Sequence, residues 1–166
     1  MRLFIAINLS DAARSRLAAL QDELRSGAKR GNFTKRENLH LTLAFLGECD
    51  DAQANAAKAA MHGVNFEEFT MMIDRIGNFR NYGSGLTWWA GVRSSEPLKE
   101  VQRSLAERLT GRGIKADDRP YTAHITIGRD VVTKKEPRII EPFEEKVSAM
   151  DLMRSERIYG KLTYTS

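Results

Sequence analysis

Two tetrapeptides in this sequence share a pattern fit for proton-transfer chemistry: His40-Leu41-Thr42-Leu43 and His124-Ile125-Thr126-Ile127. Each runs on to a glycine, Gly47 and Gly128. Three histidines, ten threonines and 42% apolar residues give about 0.03 such matches by composition alone. Two copies are therefore a pattern. In a strand, side chains alternate faces, so His and Thr at i and i+2 share one face, roughly 6.5–7 Å apart at Cα. The two apolar residues anchor the opposite face in a core. Each motif is then a rigid platform showing one imidazole and one hydroxyl.

Two such platforms facing one cleft suit displacement at phosphorus. Imidazole titrates near pH 6.5, so one ring can be neutral while its partner is protonated. A neutral ring takes a proton from the attacking oxygen, and a protonated ring gives one to the departing oxygen. The hydroxyls of Thr42 and Thr126 can donate to the non-bridging oxygens. Arg129, five residues after His124, adds a fixed charge suited to a phosphate. A lone strand histidine is more often a packing residue, and the matched pair weighs against that reading. His62 has no threonine two residues on and reads as a helix C-terminal cap.

Other chemistries find less support. The single cysteine, Cys49, excludes an internal disulfide and any Cys-based zinc site. The motifs lack carboxylates at ligand spacing, which disfavours a metal phosphodiesterase. There is no G-x-x-x-x-G-K-[ST] loop. The net charge of +4 is modest, but its distribution is uneven. From Arg25 to Arg36 there are five basic residues and no acid, and from Arg112 to Arg138 seven against four. Both segments lie beside a histidine motif, where they serve an anionic ligand or form ordinary solvated surface.

The elements that position the motifs can be read from periodicity. With 166 residues, 42% apolar and 29% charged, the chain is sized for one folded unit. Leu3–Ile7 reads as a first strand, since Asn8, Asp11 and Arg14 rule out a signal peptide. No apolar run spans a membrane, so the expectation is a soluble cytoplasmic protein, monomeric by default. Ser10-Asp11 starts a helix through Leu17, Leu20 and Leu24, broken at Gly27–Gly31. His40–Leu46 is a strand, Asp50–Met61 a helix and Phe66–Ile76 a strand. Gly77–Gly85 reads as a loop or hairpin connection. Leu86–Val92 is a strand, and Glu96-Pro97 opens a helix ended by Gly111 and Gly113. His124–Ile127 is a strand stopping at Gly128. Phe143–Met153 and Ile158–Thr165 are two last strands. Each half has a long amphipathic helix, a connection and a histidine strand, so the expected fold is α+β and bilobal. Two pseudo-symmetric lobes, each an antiparallel sheet with flanking helices, enclose a central cleft.

On these residues the chain resembles the two-histidine phosphoesterase superfamily, in particular its LigT-like bacterial and archaeal RNA 2′,3′-cyclic phosphodiesterases. The resemblance covers Met1–Ile7, Glu37–Gly47, Arg119–Arg129 and Ser155–Tyr164. It departs at Ala123, where the family has proline before the second histidine. It departs again at Phe33-Thr34-Lys35, where the family has an aromatic–aliphatic pair. The resemblance implies a single two-lobed domain over 1–166. It implies hydrolysis of an RNA terminal 2′,3′-cyclic phosphate, or a cyclic nucleotide, to the 2′-phosphate, with no metal or other cofactor. It makes His40 the general acid toward the leaving 3′-oxygen and His124 the general base on water. Thr42, Thr126 and Arg129 would hold the phosphate. Phe45 and Tyr121 would stack on the terminal base or else pack in the core. Two alternatives stay open: 2′,5′ RNA ligation at the same site, with a 5′-hydroxyl in place of water, and a non-catalytic module that binds RNA ends.

Overall fold

The apolar run Leu3–Ile7 is buried throughout in β1 (Arg2–Asn8), as a strand covered on both faces requires. The computed structural model describes residues 1–80, 85–115, 120–134 and 141–166. Ser10 caps α1 (Asp11–Ser26) by accepting from the Ala13 amide, and Leu17, Leu20 and Leu24 face the core. β2 (Ala28–Phe33) and a 3-10 turn (Arg36–Asn38) lead to β3 (His40–Glu48). A capping box between Asp50 and Gln53 opens α2 (Asp51–His62). There follow β4 (Phe69–Arg80), β5 (Leu86–Val92) and α3 (Glu96–Gly111), the last begun by Pro97. The chain ends in β6 (His124–Thr133), β7 (Phe143–Val147), β8 (Asp151–Ile158) and β9 (Lys161–Thr165).

The strands form two antiparallel sheets, β3-β1-β8-β9 and β2-β6-β5-β4-β7. The fold is α+β, and its two lobes repeat one unit. In β1–α1–β3 and in β5–α3–β6, a strand is followed by a long helix, and a histidine strand then pairs antiparallel with the first. The helices are exchanged between sheets. α1 follows a strand of the four-stranded sheet but lies on β2, β6 and β7 of the other, while α3 lies on β3 and α2. One apolar core therefore joins Ile5, Leu17 and Leu41 to Leu105, Ile125 and Ile127.

Four expectations are corrected. β2 was not expected, because AKRGNF lacks apolar alternation; it is a charged edge strand paired with β6. β4 runs on through Gly77 to Arg80. Gly77 is a packing glycine there, since a Cβ would stand 2.5 Å from the Trp89 ring. Residues 81–84 of the expected connection lie outside the described residues. β6 does not stop at Gly128 but continues through a bulge to Thr133. The last segment makes three strands, β7, β8 and β9, where two were expected.

Candidate active site

Each histidine motif lies on a strand whose apolar residues are fully covered. Leu41 and Leu43 are buried on β3, and Ile125 and Ile127 on β6. His40, Thr42, His124 and Thr126 are half-buried on the other face, as the alternation predicts. The two strands lie against each other across the sheets. The Tyr121 hydroxyl donates to the Thr42 carbonyl at 2.8 Å and ties the start of β6 to β3.

The two rings are held in the same way. His40 Nδ1 lies 2.7 Å from the Asn38 carbonyl, and His124 Nδ1 lies 2.7 Å from the Thr122 carbonyl. A carbonyl oxygen only accepts, so each Nδ1 carries the proton and each Nε2 is the atom free to exchange one. Around the rings stand aromatic pairs. Phe4 and Tyr164 lie 4.8 and 5.2 Å from His40 between ring centres, and Phe79 and Trp89 lie 5.3 and 6.2 Å from His124. The rings differ in electrostatics. Burial, and then the charges of Arg129 and His124, hold the His40 imidazole below its usual range, against the opposing pull of the Asn38 carbonyl. His40 is neutral at pH 7, with Nε2 accepting from the Thr42 hydroxyl at 2.9 Å.

Strict alternation would put position i+5 on the face opposite its histidine. Both strands break the alternation. In β3, Leu43 is extra relative to Ile5 and Ala6 of β1. In β6, Ile127 is extra relative to Trp88 and Trp89 of β5, and one more residue is extra between Gly128 and Val131, where Asp130 takes φ 52°. A bulge re-aims the side chains beside it. Phe45, five after His40, and Arg129, five after His124, both line the cleft with His40 and Thr42. His124 lines the adjoining second cleft with Thr42 and Phe45, and the positions along the two strands match: His40, Thr42 and Phe45 on β3, His124, Thr126 and Arg129 on β6.

A model of the family described as LigT like Phosphoesterase matches residues 7–89 and 92–162. The chain belongs to the LigT-like phosphoesterase family. Among family members, the chain is 33% identical to an RNA 2′,3′-cyclic phosphodiesterase of Archaeoglobus fulgidus, covering 85% of this chain and 78% of that one. It is 30% identical to another of that name from Methanocaldococcus jannaschii, over 78% and 71%. A crystal structure of E. coli LigT superposes at TM-score 0.82 with 27% identity, covering 99% of this chain and 92% of that one. A second, complexed with 3′-AMP, gives 0.83 at 25%, covering 99% and 93%.

Within this family member the two residues read as base-stacking or packing diverge. Phe45 is 53% exposed. Tyr121 packs on the core, burial pushes its phenol up, and its hydroxyl is spent on Thr42. His62 closes α2 and lines neither cleft at the motifs. Lys135 and Arg138 of the second basic segment, and Arg119, lie outside the described residues. Other supports were not legible. Thr34 donates to the Thr126 carbonyl at 3.0 Å, and Gln21 Nε2 reaches the carbonyls of Thr34 and Ile127 at 2.7 and 2.8 Å. Gln21 had a signal, a polar residue on the Leu17–Leu20–Leu24 face of α1. Thr34 is the family departure noted above, and here it braces the second motif.

Proposed function

We propose that the protein is an RNA 2′,3′-cyclic phosphodiesterase that opens a terminal cyclic phosphate to the 2′-phosphate. The phosphate sits between the two rings, with Thr42, Thr126 and Arg129 donating to its non-bridging oxygens. A water oxygen attacks phosphorus and His124 Nε2 takes the water proton. The bond from phosphorus to the 3′-oxygen breaks, and protonated His40 Nε2 gives its proton to that oxygen. The products are a 2′-phosphomonoester and a 3′-hydroxyl, with the rings' protonation exchanged.

The observation that carries this reading is the shared anchoring of Nδ1, which leaves both Nε2 atoms for the reaction. The relatives named above and the LigT structure holding 3′-AMP support the substrate class. A proton on His40 requires the substrate. The phosphodiester anion sets its negative charge beside His40, against the burial and the Arg129 charge that push that proton off. Phe45 serves as a ledge for a base, and Tyr121 as a strut beneath Thr42. The buried Cys49 thiol fits a reducing, cytoplasmic compartment. The test is incubation with a nucleoside 2′,3′-cyclic phosphate in chelator. The 2′-phosphate is expected; the 3′-phosphate as product, or binding without turnover, overturns the reading.

A further inference from the structure

We propose that the cleft-facing side of the four-stranded sheet binds the RNA strand upstream of the cyclic end, with Arg2 and Arg157 holding backbone phosphates. The inference rests on the phosphodiesterase reading above. From His40 and Thr42 the cleft, about 550 Å³, continues over β1, β8 and β9 to Arg2 and Arg157. Thr42 stands opposite Ala6 on β1, so Arg2 lies four residues further on, about 13 Å away. Register puts these side chains on one face. Ser155 is opposite Arg2 on one side and Tyr164 on the other, and Leu162 is opposite Arg157.

Charge gives this face its meaning. The carboxylates of the cleft are matched, Glu156 to Arg154 and Glu48 to the N-terminal amine, each at 3.4 Å. Arg2 and Arg157 are exposed, and neither forms an ion pair among the described residues. A cyclic mononucleotide carries its only phosphate at the histidines and gives no use to a cation 13 Å away. The next phosphates of an oligonucleotide do. The Arg2 guanidinium also lies 5.3 Å from the centre of the Phe45 ring, a contact that holds its side chain over the cleft. The second cleft at the motifs is walled by Phe79, Ala106 and Leu109, with Lys115 the one cation among its described lining. A polyanion leaves by the first.

The test compares a nucleoside 2′,3′-cyclic phosphate with a trinucleotide bearing the same cyclic end, for wild type and the Arg2→Ala, Arg157→Ala double variant. Wild-type kcat/KM is expected to be at least ten-fold higher for the trinucleotide. The double variant should erase that advantage and leave the mononucleotide within two-fold. Its slope of log kcat/KM against log salt should fall by about 1.4 for two lost phosphate contacts. Equal wild-type rates on the two substrates overturn the inference while leaving the phosphodiesterase reading intact. So does inorganic tripolyphosphate competing as well as an uncleavable trinucleotide, which would mark a general polyanion surface. No turnover of either substrate sinks the phosphodiesterase reading itself.

Discussion

At the scale of residues, the site is a pair of chemically alike rings made unlike by their surroundings. Both donate Nδ1–H to a carbonyl two residues upstream, but burial, with the charge of Arg129 nearby, holds His40 neutral. The acid role proposed for His40 is separable from the base role proposed for His124 by the leaving group. A 3′-thio cyclic substrate expels sulfur without needing a proton. It should restore a His40→Ala variant toward the wild-type rate and leave His124→Ala slow; rescue of His124→Ala instead would swap the roles. The lowered His40 pKa also has a consequence for stability. The unfolded chain protonates His40 near pH 6.5 while the fold holds it neutral to lower pH, so the unfolded state takes up the proton first. Its contribution is therefore present above about pH 6.5 and is lost as pH falls. Urea midpoints should drop less between pH 8 and pH 5 in His40→Phe than in wild type; equal drops would contradict this. The histidines and threonines were legible because their types and spacing are in the sequence. Their carbonyl partners were not, because every residue has a carbonyl and only the fold decides which one meets a ring.

At the scale of elements, the bulges in β3 and β6 matter more than the strands' length. They bring Phe45 and Arg129 to the cleft from positions that alternation assigns to the core. The sequence marked Arg129 by its chemistry, but no residue type announced the bulge, since Asp130 at φ 52° is uncommon for a non-glycine residue. Glycine misled at Gly77, which is a point of close approach and not a turn. Gly77→Ala sets a Cβ 2.5 Å from the Trp89 ring, and that ring stands 6.2 Å from His124. The variant should lose on the order of 10- to 100-fold in kcat, the scale of a misplaced catalytic group, with KM little changed. An unchanged kcat would show that Trp89 does not position His124. Gln21→Leu removes the side-chain donor to the half-buried Thr34 carbonyl and one of two donors to the buried Ile127 carbonyl, which keeps the Thr34 amide, and urea unfolding should show a loss of about 1–3 kcal/mol.

At the scale of the whole molecule, the exchanged helices make the lobes depend on each other. α1 and α3 each follow a strand of one sheet and pack on the other. The repeat of helix and histidine strand was legible in the sequence. The exchange was not, because an amphipathic helix records that it has an apolar face and not which sheet covers it. We propose that the chain unfolds as one unit. Ile5→Ala in one sheet and Ile125→Ala in the other, both fully buried, should each cost about 2–5 kcal/mol in a single shared urea transition. Two separable transitions would contradict it. The account stands or falls on both imidazoles serving one phosphate. Its most direct test is the turnover of one nucleoside 2′,3′-cyclic phosphate, in chelator, by His40→Ala and His124→Ala. The account predicts that each single variant loses on the order of 10²–10⁴ in rate; either one working at the wild-type rate would contradict it.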